Sequence, residues 1–294
     1  MGSFGMPILS RFLKNIHSHP RWGWVGLLAY AAAVTFPHEN VQWLVNQFAI
    51  RYGHARLYQV SGAMGVVLGL VLTGVVVYRL RRHGARGVLA ISWIVTLALI
   101  GFTWRVFTAN NTELVHYPQY IPEGMALLAL TLSPAESLAW IVIFGGLDEG
   151  YQYAVLSWWR PVPFDFNDVY MDLLGGAAGV LLAMAFLRCA RRDAAPRIGP
   201  PFWKRPGIIA ILATTATGIL LWASGFMLLF EDKADTRHWF SLSRFRAPAF
   251  WFQVVTNGPN KYHTLSPIEG PIIILATIAL YALIDRRLKI SPPE

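Results

Sequence analysis

The sequence predicts an all-α, polytopic transmembrane helical bundle of about eight spans with both termini cytoplasmic. Three observations predict it. Of the 294 residues, 55% are hydrophobic and only 14% are charged, against about 25% charged in a typical soluble domain. The mean hydropathy is positive. Uncharged windows of bilayer length recur along the chain. The formal net charge of +9 would by itself fit a nucleic-acid binder, but a soluble basic domain is not this apolar, so no nucleic-acid partner is expected. The single Cys189 excludes an internal disulfide and with it a cystine-stapled secreted fold.

Windows free of Asp, Glu, Lys and Arg run over 22–38, 57–78, 87–104 and 206–230. Three further apolar stretches, 137–159, 169–187 and 270–284, hold acidic residues inside or beside them, and 121–133 is a short apolar helix ended by Pro134. A cleaved signal peptide is an alternative reading of the first window. The long polar lead before it and the spans after it argue against that.

Orientation follows from the cations. With the N-terminus inside, the groups Arg11/Lys14/Arg21, Arg79/Arg81/Arg82/Arg86, the run from Arg188 to Arg205, and Arg286/Arg287/Lys289 are all cytoplasmic. That alternation requires eight spans. Sixteen of the 25 cations and four of the 16 acids then lie inside, a balance of +12 inside and −3 outside.

Residues 1–188 read as a six-span membrane domain, 189–206 as a basic, Pro-rich cytoplasmic linker, and 207–294 as a two-span C-terminal extension. Residues 39–56 place Val41, Trp43, Leu44 and Phe48 at helical spacing, which suits a helix on the membrane surface or a plain connector. Residues 230–269 form an external loop too long to be a bare connector. It carries Trp239, Phe240, Phe245, Phe250, Trp251 and Phe252, which suit an interfacial segment or a surface that docks a protein partner.

The acidic residues carry the functional signal. Counted from Ser137 at about 1.5 Å per residue, Asp148 and Glu149 stand roughly 17–18 Å into a core about 30 Å thick. Each nominally costs about 2.5–3.5 kcal/mol at a helix centre. Asp148 and Gln152 share a helix face, and Glu149 adjoins Gln152 and Tyr153. In the next span Asp168 and Asp172 are one turn apart, on a face continuing to Gly175, Gly176 and Gly179. Gly175 and Gly179 form a small-xxx-small pair that permits close helix approach, with the preceding helix the expected neighbour. Arg160 lies in the turn between these spans. His116, Tyr117, Gln119, Tyr120 and Glu123 stand at the external start of the short helix, where Pro118 and Pro122 suit a lead-in turn. The three clusters meet in the external third of the bilayer. Each alone has a packing explanation; together they point to a site, because intramembrane ionisable groups default to function.

These residues resemble a known family. The segments HYPQY at 116–120, DEGYQ at 148–152, Arg160, and DVYMDLLGGAAG at 168–179 are similar to the ordered pattern of VanZ-like membrane proteins, over about residues 20–190. Asp172 departs from it: the family usually has Asn there, and Asp adds a negative charge. The extension at 207–294 is also additional to the family unit. The resemblance implies a multi-pass protein of the bacterial inner (cytoplasmic) membrane, related to low-level teicoplanin resistance in the name-giving member. It supplies no reaction.

Three functions fit. In the first, the external-facing acidic pocket binds or modifies envelope lipid or lipid-linked cell-wall precursor. His116, Asp148, Glu149 and Asp168 are then the candidate catalytic residues, with Asp148 or Glu149 as general base and His116 as proton shuttle, and Tyr120, Gln152, Arg160 and Asp172 bind the ligand. Arg160 suits a phosphate. In the second, a proton- or cation-coupled transporter, the oxygen-rich set would accept Ca²⁺ or Mg²⁺, although no paired broken helices mark two halves. In the third, the chain is an accessory subunit docking through 230–269. No cofactor is expected. Zinc-protease and P-loop motifs are missing, and a prenyltransferase-type N-D-x-x-D begun at Asn167 breaks at Met171.

Overall fold

One helix organises the chain. In a computed structural model that describes residues 8–81, 86–155, 164–187, 189–191, 201–231, 239–243, 249–251, 253 and 261–290, helix α8 (Phe166–Phe186) is wrapped by its neighbours. Its most apolar stretch is 94% buried, against 11% for α4 (His54–Leu80), 22% for α5 (Arg86–Phe107) and 17% for α9 (Pro206–Ala223). These four are the helices long and apolar enough to cross a membrane among the described residues. The difference in burial separates their roles. On α4, Met64, Val67 and Leu70 are exposed, as are Ile91, Ile94 and Phe102 on α5 and Leu212, Ile219 and Leu220 on α9. An apolar surface of this extent suits lipid rather than water.

The other predicted spans are also helical: α2 (Pro20–Thr35), α6 (His116–Thr131), α7 (Pro134–Val155) and α10 (Glu269–Arg287). At 16 residues, α6 extends only about 24 Å, short of a bilayer core of about 30 Å. Its end is set by Leu132 in the left-handed conformation, φ 51°, with Pro134 opening α7. Two helices lie outside the span windows. α1 (Ile8–Ser18) packs on α6, and α3 (His38–Tyr52) connects to α4 while exposing Val41, Trp43 and Leu44.

Among the described residues, four short strands add to the helical frame. β1 (Cys189–Arg191) pairs antiparallel with β4 (Leu288–Ile290), and β2 (Met227–Phe230) pairs parallel with β3 (Phe240–Ser243). The first pair joins the chain leaving α8 to the chain leaving α10. The last two helices pack on α7, α10 also touches α8, and Ile208, Ile211, Ile274 and Ile278 enter the same buried core as α8. A polar clasp reinforces this contact: Arg205 reaches Asp285 Oδ2 at 3.0 Å and also the Ser133 hydroxyl, which itself donates to Asp285 at 2.8 Å. Residues 192–200 of the basic linker lie outside the described residues, as do Phe245 and Phe252 of the aromatic stretch at 230–269. Within that stretch, Tyr153 of α7 donates to the Ser241 carbonyl at 2.7 Å.

The closest helix contact joins α6 and α8. A Cβ on Gly175 would fall 2.4 Å from the Tyr117 carbonyl oxygen, and one on Gly179 would fall 2.1 Å from that of Ile121. A Cβ on Gly124 would fall 2.1 Å from the Gly176 carbonyl oxygen. The backbones therefore touch where side chains would otherwise stand. Gly175 and Gly179 face α6 rather than the preceding helix α7; Gly176 faces Ile141 of α7. The reason is registry. Gly175 and Gly179 are one turn apart and meet Tyr117 and Ile121, also one turn apart in the same direction, so α6 and α8 run parallel.

Gly179→Ala is expected to force these backbones apart and to cost about 1–3 kcal/mol by overpacking. The exposed Gly74, which has no neighbour within 4 Å of an added Cβ, should tolerate the same change. Thermal unfolding of the detergent-solubilised protein measures both; equal stability of the two variants contradicts this packing.

Candidate functional site

The parallel contact of α6 with α8 determines what meets at their N-terminal ends. His116 opens α6 after a 3-10 turn, Asn111–Val115, which is capped by the Asn110 side chain accepting from the Thr112 amide. Trp104 and the Tyr58 carbonyl hold that turn through Asn111, whose side-chain oxygen accepts at 2.9 Å and whose amide donates at 2.8 Å. On α8, Asp168 and Asp172 occupy one face a turn apart. The His116 ring lies between them, with Nδ1 2.9 Å from Asp172 Oδ1 and Nε2 3.5 Å from Asp168 Oδ2. Asp172 is fully buried, while the Asp168 side chain retains 21% exposure. Asp168 therefore forms the open side of the pair.

Helix α7 contributes from the third side. Gln152 donates to both acids before it, to Glu149 Oε1 at 2.8 Å and to Asp148 Oδ2 at 3.3 Å. Tyr153, which adjoins Glu149 in sequence, turns instead to β3. Glu149 Oε2 accepts the Asp165 amide at 3.1 Å, so the carboxylate is fastened to the start of α8. Glu149 lies within electrostatic reach of Asp168, Asp165, His116 and Asp148. Tyr120, one turn beyond His116, is buried within the electrostatic influence of Asp172, Asp148, Glu123 and Glu149. His116, Tyr120, Asp148, Glu149, Gln152, Asp168 and Asp172 thus gather at one junction of three helices. Arg160 lies outside the described residues.

Several residues that carry no catalytic or ligand-binding role in the sequence reading, Glu123 of the first cluster among them, belong to the same junction. Glu123 is 1% exposed and its neighbouring charges are Asp172 and Asp148. Its spacing, seven residues after His116 and three after Tyr120, puts it on their helix face. Asp165 caps α8 by accepting the Asn167 amide at 2.8 Å. Asn167 closes the N-terminal end of α8: it donates to the Phe107 and His263 carbonyls at 2.9 and 2.8 Å and accepts the Leu265 amide at 2.8 Å. No local signal marks Asn167 for this role, because its partners lie 60 to 98 residues away.

Among the described residues, no group of three or more His, Cys, Asp or Glu side chains is arranged to hold a metal ion. The chemistry the arrangement supports is proton exchange and the binding of hydrogen-bond donors. A histidine between two carboxylates, in a buried setting, gives up or accepts a proton with little movement. No protein-family model, no characterised protein and no solved structure matches the chain.

Glu113, in the turn outside the spanning helices, borders this junction. Its oxygens accept the Ala109 amide at 2.9 Å and the Asn110 side-chain amide at 3.1 Å. Burial first, and then the Asp168 charge, push its carboxyl from 4.5 up to about 9. A carboxyl raised on folding stabilises the fold fully below its unfolded value and ceases to do so as pH rises through its folded value. Glu113 should therefore make the protein progressively less stable between about pH 4.5 and about 9. Glu113→Gln is expected to flatten that part of the curve. Melting temperatures of both proteins across this range measure the effect, and an unchanged slope contradicts it.

Proposed function

We propose that the chain is a VanZ-like protein of the bacterial inner membrane, spanning it eight times with both termini cytoplasmic, and that it binds or modifies the polar headgroup of envelope lipid or lipid-linked cell-wall precursor through an acidic pocket on the external side. The observation that carries this reading is His116 held between Asp168 and Asp172, with Glu149 alongside. Burying so many ionisable groups among apolar helices is costly unless they act on something polar that reaches them there. A lipid headgroup does so with its acyl chains still in the bilayer. Its hydroxyl, phosphate or amino groups can then exchange hydrogen bonds and protons with the pocket.

The roles follow from position. Asp172, wholly buried, orients His116. Asp168, partly exposed, meets the incoming headgroup. Glu149 or Asp148 serves as general base where a bond is made or broken, and His116 carries the proton. Gln152 holds the two acids of α7 in place, and Tyr120 offers a neutral hydroxyl. Arg160, which lies between α7 and α8 in sequence, is the proposed partner of a phosphate.

A second reading is favoured by the outer aromatic segment. Trp239 is 82% exposed, and Phe250 and Trp251 are also exposed, a surface suited to the bilayer interface or to a protein partner in a larger membrane complex.

The headgroup reading is tested by purifying the wild type, His116→Gln and Glu149→Gln from bacterial membranes in mild detergent and weighing the intact complexes by native mass spectrometry. The wild type should retain lipid, and each substitution should lower retention about tenfold, the scale of one hydrogen bond to a charged group. Equal retention by all three, with equal folding, would sink the proposal.

A further inference from the structure

Three carboxylate oxygens at the junction of α6, α7 and α8 are buried and accept no hydrogen bond: Glu123 Oε2, Asp148 Oδ1 and Asp172 Oδ2. Their residues are 1%, 4% and 0% exposed. They come from three different helices and share one neighbourhood, since the Tyr120 hydroxyl interacts electrostatically with all three residues. Asp172 Oδ2 points at α7, lying 2.8 Å from where a Cβ on Gly145 would stand. Gly145 is three residues before Asp148 and on its helix face.

A buried acceptor without a donor costs about 1–3 kcal/mol, and more when charged. The N–H donors of Gln152 and His116 are already committed, and the single O–H of Tyr120 can serve only one of the three oxygens. Gln152 donates to the other oxygen of Asp148 and to Glu149. His116 is engaged by Asp172 Oδ1 and Asp168. No described set of side chains has the close geometry of a metal site. What matches three separated acceptors of negative charge is a single positive group with several N–H donors. A primary ammonium has three; a quaternary ammonium has none.

We infer that Glu123, Asp148 and Asp172 bind a primary ammonium group. The inference rests on the headgroup reading and names the headgroup chemistry: an amine borne by a lipid, or a free amine of the same kind. His116 and Asp168 then lie on the outer side of the ammonium, next to the atoms that join it to the rest of the ligand.

The test uses the purified full-length protein in detergent. It is titrated with phosphatidylethanolamine, phosphatidylcholine and phosphatidylglycerol of identical acyl chains, and separately with ethanolamine, with binding followed by tryptophan fluorescence and native mass spectrometry. Phosphatidylethanolamine should bind about tenfold more tightly than phosphatidylcholine. Glu123→Gln and Asp148→Asn should each remove that preference. Competition by free ethanolamine identifies a soluble amine as sufficient; persistence of lipid binding against it identifies the lipid-borne amine. Equal wild-type affinity for the ethanolamine and choline lipids overturns the ammonium site, and because it needs no variant it decides the matter even if both substitutions fail to fold. If that equal binding still depends on His116, the headgroup reading stands alone; if no lipid binds, both fail.

Discussion

The direct backbone contact between α6 and α8 is the constraint on which the rest depends. Glycines at 124, 175 and 179 remove the side chains that would otherwise separate the two helices, and the carbonyl oxygens of Tyr117, Ile121 and Gly176 occupy the space. Such proximity fixes sliding as well as distance. With Gly175 against Tyr117, the His116 ring has no choice but to enter the gap between Asp168 and Asp172. A wider spacing filled by leucine or valine would leave the histidine short of at least one carboxylate. With α4, α5, α7 and α10 packed on its other sides, α8 is almost completely buried, so its acidic turn lies inside protein rather than against lipid.

Burial of that acidic turn creates an energetic problem, which is met by a small number of shared groups. Gln152 serves two carboxylates at once, and the Asp165 amide serves Glu149 from the start of α8. His116 bridges two more. Such sharing leaves little slack: removing one partner exposes a charged acceptor to an apolar surrounding, which costs more than the lost bond itself. Three carboxylate oxygens, on Glu123, Asp148 and Asp172, are left without a donor.

The C-terminal helices complete this arrangement from both ends of the bundle. At one end, Arg205, Ser133 and Asp285 clasp the turn between α6 and α7 to α9 and α10, and β1 with β4 ties the two chain exits together. At the other, Asn167 gathers the end of α5 and residues 263–265 over the start of α8. Thr96 with Tyr281 and Tyr170 with Thr277 add side-chain hydrogen bonds between α10 and the earlier helices. Residues next to the acidic junction are therefore held from the C-terminal part of the chain as well as from their own helices.

Composition and periodicity by themselves determined that this is a helical chain with apolar segments of membrane length, and which segments carry buried charge. Those properties are local: a run of apolar residues is legible within about 20 positions, and the i, i+4 spacing of Asp168 with Asp172 or Asp148 with Gln152 assigns a shared face without a partner in view. Glycine spacing likewise announced a close contact but not its partner, since Gly175 and Gly179 could face any neighbour until the fold chose α6. The meeting of His116 with residues 52 and 56 positions later, the capture of residues 263–265 by Asn167, and the unpaired oxygens of three separate helices were decided by tertiary structure alone. Each depends on where a distant backbone comes to rest, and that is set by packing summed over the whole bundle, which no short window of sequence contains.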